Sequence, residues 1–259
     1  MRASRAAITR AFPLLAELQP VRWDPDGLIV MPAAAQEAAR VIDARSRCPL
    51  PLLPLADTTI GIWPDPPARW VAGIYRRSPA HVAAPCGIPE IVQTAGEAFG
   101  PGDHETTMMC LEKLHRLPPG DALDVGCGSG LLGLSWARLG KGRVHAIDVD
   151  PRAVRQTLAS AAHSGLSAQL TVECARVDAR TIDRVDATMI LANVPAVVHL
   201  SLVTALARRV PRAALISGLR AGESGPVLAA YARLGLRRSG AARRGRWECH
   251  VLVADRQAR

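Results

Sequence analysis

The stretch Ala122-Leu-Asp-Val-Gly-Cys-Gly-Ser-Gly130 has residue types and spacing suited to holding a ligand against the main chain. A short apolar run reaches an acid, Asp124. Three glycines then follow at every second position: Gly126, Gly128 and Gly130. Glycines let the chain turn tightly and let a ligand approach the backbone. The spacing is G-x-G-x-G, not the G-x-G-x-x-G of dinucleotide enzymes, which argues against a nicotinamide oxidoreductase. No lysine follows to make a phosphate-cradling loop. The pattern reads as a buried strand, a glycine turn and a helix from Leu131, built to bind S-adenosylmethionine (SAM).

Further candidates lie at the ends of other apolar runs. Asp148 stands about 20 residues beyond the glycines, at the tip of the next strand, where a carboxylate can accept hydrogen bonds from both ribose hydroxyls of a nucleoside. Asp150 is better placed to cap the following helix, with Pro151 at its first position. Asp178, after a third strand, is a candidate near the adenine. Asn193 closes a fourth strand just before a turn, facing the crevice where open α/β sheets bind ligands. In Ala98-Phe-Gly-Pro-Gly-Asp-His-Glu-Thr-Thr107, His104 and Glu105 are candidates for a gate or proton acceptor. Thr107 lies in the first turn of a helix, whose free N–H groups suit a carboxylate.

The elements that must position these residues alternate. Strands are expected at 122–125, 143–147, 169–174, 187–192, 213–217 and 247–253. Helices are expected from His104, over 131–139, over 151–163, over 200–209 and over 226–234. This rhythm predicts an α/β, doubly wound, Rossmann-like sheet. Residues 1–80 carry weaker signals: helices over 3–18 and 33–45, a strand over 27–31, a proline-rich stretch from Cys48 and a strand over 69–75. Proline and glycine between Ser78 and Pro89 mark the expected domain boundary.

The 259 residues can bury a sizeable core, and no apolar run approaches the roughly 20 residues of a membrane span. The basic N-terminus lacks the apolar core of a secretory signal. Six scattered cysteines without a C-x-x-C pair argue against zinc and for reduced, cytoplasmic thiols. The net charge of +9 comes almost wholly from Arg; Lys113 and Lys141 are the lysines. Aromatic residues are few, which argues against base stacking on nucleic acid. The densest basic run, Arg237 to Arg246, reads as a solvated edge.

Four separated pieces and the tail resemble one family. Ala98 to Thr107, Leu123-Asp-Val-Gly-Cys-Gly-Ser-Gly-Leu-Leu132, Ala146-Ile-Asp-Val-Asp-Pro151, Leu191-Ala-Asn193 and the stretch from Leu215 through Tyr231 to the Trp247 strand are similar to the PrmA family. Those bacterial enzymes methylate a large-subunit ribosomal protein on amino groups. The resemblance spans about Ile91 to Ala254. It implies a seven-stranded methyltransferase sheet over 81–259, with residues 1–80 as a divergent substrate-recruiting or lid region ending in a Pro-rich linker. It implies SAM contacts at Thr107, Gly126, Asp148 and Asn193, with Phe99, Asp124, Gly128 and Gly130 belonging to the same motifs. Glu105 replaces a proline usual in the family, and Val-Pro-Ala follows Asn193 in place of Ile-Leu-Ala. The implied activity is methyl transfer to an amine of a protein or peptide. The alternatives are a small-metabolite or peptide natural-product acceptor, and a SAM-binding module without turnover.

Overall fold

The computed structural model describes residues 68–81, 83–84, 87–94 and 104–255, together with the backbone of short strands at 22–23, 29–32, 52–55 and 59–62. The four short strands are β1 (Arg22–Trp23), β2 (Ile29–Pro32), β3 (Leu52–Leu55) and β4 (Thr59–Ile62), paired antiparallel in the order β1-β2-β4-β3. The strand expected over 27–31 corresponds to β2, and the proline-rich stretch supplies β3. The helices expected over 3–18 and 33–45 fall outside the described residues.

The single strand expected over 69–75 is instead a hairpin, β5 (Arg69–Val71) and β6 (Ile74–Arg77), because Ala72 and Gly73 both take positive φ, 49° and 82°. β7 (Glu90–Val92) pairs parallel with β6, and the Arg77 guanidinium bonds Glu90 across that pair at 2.8 Å. Beyond β7 come α1 (Glu105–Leu114), β8 (Ala122–Val125), α2 (Leu131–Arg138), β9 (Val144–Asp148), α3 (Pro151–His163) and β10 (Leu170–Cys174). Then follow α4 (Ala179–Arg184), β11 (Met189–Asn193), α5 (Ala196–Leu206), β12 (Ala213–Arg220), α6 (Ser224–Arg233), β13 (Leu236–Arg244) and β14 (Trp247–Ala254). Ser164 Oγ accepts the Val92 N–H at 2.9 Å and Gln156 Nε2 donates to Thr94 O at 2.8 Å, so the stretch leaving β7 is hooked onto α3.

The strand–helix alternation produces the expected doubly wound sheet, in the order β10-β9-β8-β11-β12-β14-β13. The first five strands run parallel, and β14 runs antiparallel to both its neighbours. Period-two alternation sends successive side chains to opposite faces. Met189, Leu191, Ala213 and Leu215 join the core under α1 and α2. Ile190, Ala192, Ala214 and Ile216 join the core under α5 and α6. Strands buried on both faces read as continuous apolar runs, which is why they were legible.

Further elements differ from the sequence reading, which also expects no helix at α4. α5 starts at Ala196 rather than Leu200, because Pro195 has the fixed φ that admits a helix start directly behind it. β13 carries Arg237, Arg238, Arg243 and Arg244, so it lacks the apolar pattern of a strand. It is the sheet's edge, where charged side chains discourage pairing with another chain. Among the described residues no helix is long and apolar enough to cross a membrane.

Gly142 closes the base of the sheet, away from the crevice. A Cβ there would lie 2.3 Å from Gly120 O. Gly142→Ala should therefore cost ~2 kcal/mol or more in chemical denaturation. It should leave ligand affinity of the folded fraction unchanged.

Candidate functional site

The strand order reverses between β8 and β11, so their carboxyl ends diverge and leave a crevice. The glycine turn sits at its floor. Gly126 N–H and Cys127 N–H both donate to Ile147 O, at 2.8 and 3.0 Å, which docks the turn on the end of β9. Gly126 has φ 67°, and a Cβ there would meet Val194 Cγ1 at 2.5 Å. At Gly130, φ 79°, it would meet Thr157 Cγ2 at 2.6 Å. Thr157 Oγ1 also donates to Gly128 O at 3.1 Å. The turn is thus held from below by α3, and a side chain is excluded at Gly126 and at Gly130.

A cavity of about 620 Å³ opens above this turn. Asp148 forms one wall with both carboxylate oxygens anchored: Oδ2 accepts the Gly128 N–H and Oδ1 accepts the Asp150 N–H, each at 2.9 Å. Each oxygen keeps a further lone pair for a ligand hydroxyl. Asp150 caps α3 as expected, accepting the Arg152 N–H at 2.8 Å. Val149, Ala175, Val177 and Val198 give this end apolar sides.

Asn193, Thr106, His104, Gly218 and Trp247 line the opposite end. Asn193 Nδ2 donates to Thr107 Oγ1 at 3.3 Å. Its Oδ1 is buried and has no hydrogen-bond partner among the described residues. Thr107 therefore sits behind the wall and aims Asn193, while its neighbour Thr106 faces the cavity. His104 is the N-cap of α1; its Nδ1 accepts the Thr106 N–H at 3.3 Å and lies 2.7 Å from Thr106 Oγ1. Burial lowers its pKa below the usual imidazole value, and its ring stands edge-on to Trp247 at 5.1 Å. Gly218 is forced by a close approach: a Cβ would lie 2.5 Å from Val194 O. Behind that contact, His199 Nε2–H donates to Ser217 O at 2.9 Å, and its Nδ1 faces the Tyr231 hydroxyl at 3.2 Å. Desolvation pulls the His199 pKa down to about 4, so this strut is a neutral imidazole at physiological pH.

Of the residues singled out from sequence, His104, Gly126, Gly128, Asp148 and Asn193 come together in this cavity. The other site candidates among the described residues lie elsewhere. Asp124 is buried behind the turn, its Oδ2 accepting the Gly133 N–H at 2.9 Å. A Cβ on Gly133 would sit 2.9 Å from that oxygen. Asp124 braces α2 rather than facing the cavity. Asp178 caps α4, accepting the Thr181 N–H at 2.8 Å, and Ala175, Arg176 and Val177 line the cavity in its place. Glu105 is exposed outside the lining, beside Gly245. Gly130 lies under the turn, and Phe99 falls outside the described residues. Sequence reading missed Trp247 and Gly218 as cavity residues, and no local pattern marks them.

A family model described as ribosomal protein L11 methyltransferase (PrmA) matches residues 90–255. The chain is 36% identical over 156 residues to a ribosomal protein L11 methyltransferase of Methylococcus capsulatus, covering 59% of this chain and 52% of that protein. It is 34% identical over 163 residues to the protein of the same description in Geobacter metallireducens, covering 61% and 52%. The chain thus spans about half the length of the curated relatives it matches. The solved structure of a ribosomal protein L11 methylase from Lactobacillus delbrueckii subsp. bulgaricus superposes with a TM-score of 0.62 at 23% identity, covering 70% of this chain and 95% of that one, a likeness of fold.

Burial raises the Asp124 pKa to about 7, with the Asp148 charge acting the same way and the Gly133 N–H opposing both. From about pH 4 to 7 the unfolded carboxyl has lost its proton while the folded one keeps it, so stability falls as pH rises through that window. Asp124→Asn keeps an oxygen for Gly133. Melting temperatures measured across that range should show the variant gaining on the wild type as pH rises, by a difference on the order of a few kcal/mol at pH 7. A constant difference would contradict the assignment.

Proposed function

Because the chain belongs to the ribosomal protein L11 methyltransferase (PrmA) family, we propose that it transfers the methyl group of SAM to an amine of a protein or peptide. One observation carries this reading. A single cavity joins a carboxylate fixed by two backbone N–H groups, Asp148, to a buried carbonyl oxygen without a partner, Asn193 Oδ1. The residues present fit SAM. Asp148 would take the ribose hydroxyls on its remaining lone pairs. The apolar walls from Val149, Val177 and Val198 suit an adenine, and the backbone at Gly126 and Gly128 admits close approach. The first turn of α1, with Thr106 at the cavity, presents the positive end of the helix dipole, which favours a carboxylate. When bound, SAM supplies an electrophilic methyl on a cationic sulfur.

The chain's own residues then have three tasks. Asn193 Oδ1 accepts an N–H of the incoming amine, which fixes the direction of the nitrogen lone pair. Alignment of this kind can supply ~7–11 kcal/mol of a barrier. The amine must arrive neutral. A free lysine amine has a pKa of about 10.4, and apolar walls lower that value by penalising the charged form. His104 and Trp247, edge against ring at 5.1 Å, flank the acceptor side and narrow its access to water. His104 is neutral there and stands as a wall. Glu105, exposed outside the cavity, is not in a position to take the amine proton. Residues 1–80 serve as the region that presents the acceptor, and a ribosomal acceptor would place the reaction in the cytoplasm.

Isotopically labelled SAM, incubated with the full chain and a bacterial extract, should label amines of proteins when products are read by mass spectrometry. Label confined to small molecules would move the acceptor to that class. SAM binding without any labelled product would contradict an enzyme. Asp148→Ala should weaken SAM binding by roughly 100-fold or more in calorimetry, since it removes charge-assisted hydrogen bonds. Asn193→Ala should leave SAM affinity within about 10-fold while lowering kcat by about 100-fold, as expected for a group that acts mainly on alignment.

A further inference from the structure

The two ends of the cavity lie at opposite sides of the sheet. Asp148 ends β9 and Trp247 begins β14, four strand spacings apart, or roughly 20 Å. If Asp148 holds the nucleoside, as the proposed function has it, the acceptor enters past Trp247. Two guanidinium groups stand against that ring. The Arg246 guanidinium carbon is 5.3 Å from its centroid, and that of Arg220 is 5.7 Å away. Both residues are exposed, and among the described residues neither side chain pairs with a carboxylate. Most of the nearby acids already have partners, Glu248 among them through Ser224 and His250. Glu112 pairs with Arg244 at 2.6 Å, and Glu223 accepts the backbone N–H of Arg220 at 2.8 Å. Glu105 lies beside Gly245.

We propose that Arg220 and Arg246, stacked on Trp247, form a clamp for a carboxylate carried by the methyl acceptor close to its reactive amine. Stacking against an aromatic ring holds a guanidinium in place without consuming its N–H donors, leaving the planar fork that carboxylates match. The clamp also serves the chemistry of the proposed reaction. A carboxylate near an amine stabilises its ammonium form, and pairing that carboxylate with arginine cancels the effect. The amine can then reach Asn193 neutral. The carboxylate has two possible sources: an Asp or Glu side chain within a few residues of the amine in a protein, or the α-carboxylate of a free amino acid.

The test uses the full chain with labelled SAM, offered a proteolytic peptide pool and, separately, the low-mass fraction of the same extract. Labelled amines should have Asp or Glu within two residues, or, if the free amino acid is the source, should carry an α-carboxylate in the low-mass arm. A synthetic copy of the best-labelled peptide should lose about 10-fold or more in kcat/KM, mostly through KM, when its Glu or Asp is replaced by the amide. In the Arg220→Gln, Arg246→Gln double variant, with melting temperature unchanged, acid and amide peptides should differ less than 3-fold. Equal rates for the two peptides with the wild type would overturn the clamp and leave amine methylation standing. So would a preference that survives in the double variant. Bound SAM with no labelled amine in either arm would retire the amine reading and the clamp with it.

Discussion

The hydrogen bond from Gly128 N–H to Asp148 Oδ2 joins two strand ends that lie 20 residues apart in the chain. It depends on the turn having no side chains at Gly126 and Gly130, because Val194 and Thr157 already occupy that space. It depends equally on β9 lying beside β8, which brings the tip of one strand over the turn of the other. The second Asp148 oxygen is held by the N–H of Asp150, the N-cap of the following helix. Position and direction of the carboxylate are therefore fixed before any ligand arrives, and preorganisation of this kind lowers the cost of binding.

Two acids so close together are kept apart in role by their surroundings. Asp124 is sealed behind the turn, and desolvation favours its protonated form up to about pH 7. Asp148 stands at the cavity wall with two backbone donors. The pair illustrates how environment, rather than residue type, assigns tasks to carboxyl groups. At the other end Asn193 has its amide nitrogen spent on Thr107, which leaves its oxygen for whatever enters. The Gly218 contact and the neutral His199 strut hold the turn next to the Asn193 end of the cavity.

Much of this arrangement was legible in the sequence, for a physical reason. Parallel strands buried on both faces leave apolar runs, and the residues that end them, Asp148 and Asn193, stand where such sheets bind ligands. What was not legible depends on contacts distant in the chain. Asp124 looks like a ligand until Gly133 is seen to approach it. Trp247 reaches the cavity because β14 inserts between β12 and β13, a pairing that no local pattern announces. β13 is hidden by its arginines, which guard an edge, and α5 begins earlier than its apolar spacing suggests because Pro195 fixes its start. Asp178 ends its loop at the expected place and is spent on capping α4.

The most direct measurement is a crystal structure of the full chain with S-adenosylhomocysteine. The ribose hydroxyls should lie within hydrogen-bonding distance, about 2.5–3.0 Å, of the two Asp148 oxygens. The sulfur should point toward Asn193. A nucleoside bound away from Asp148, or an Asn193 oxygen turned out of the cavity in the complex, would contradict the account.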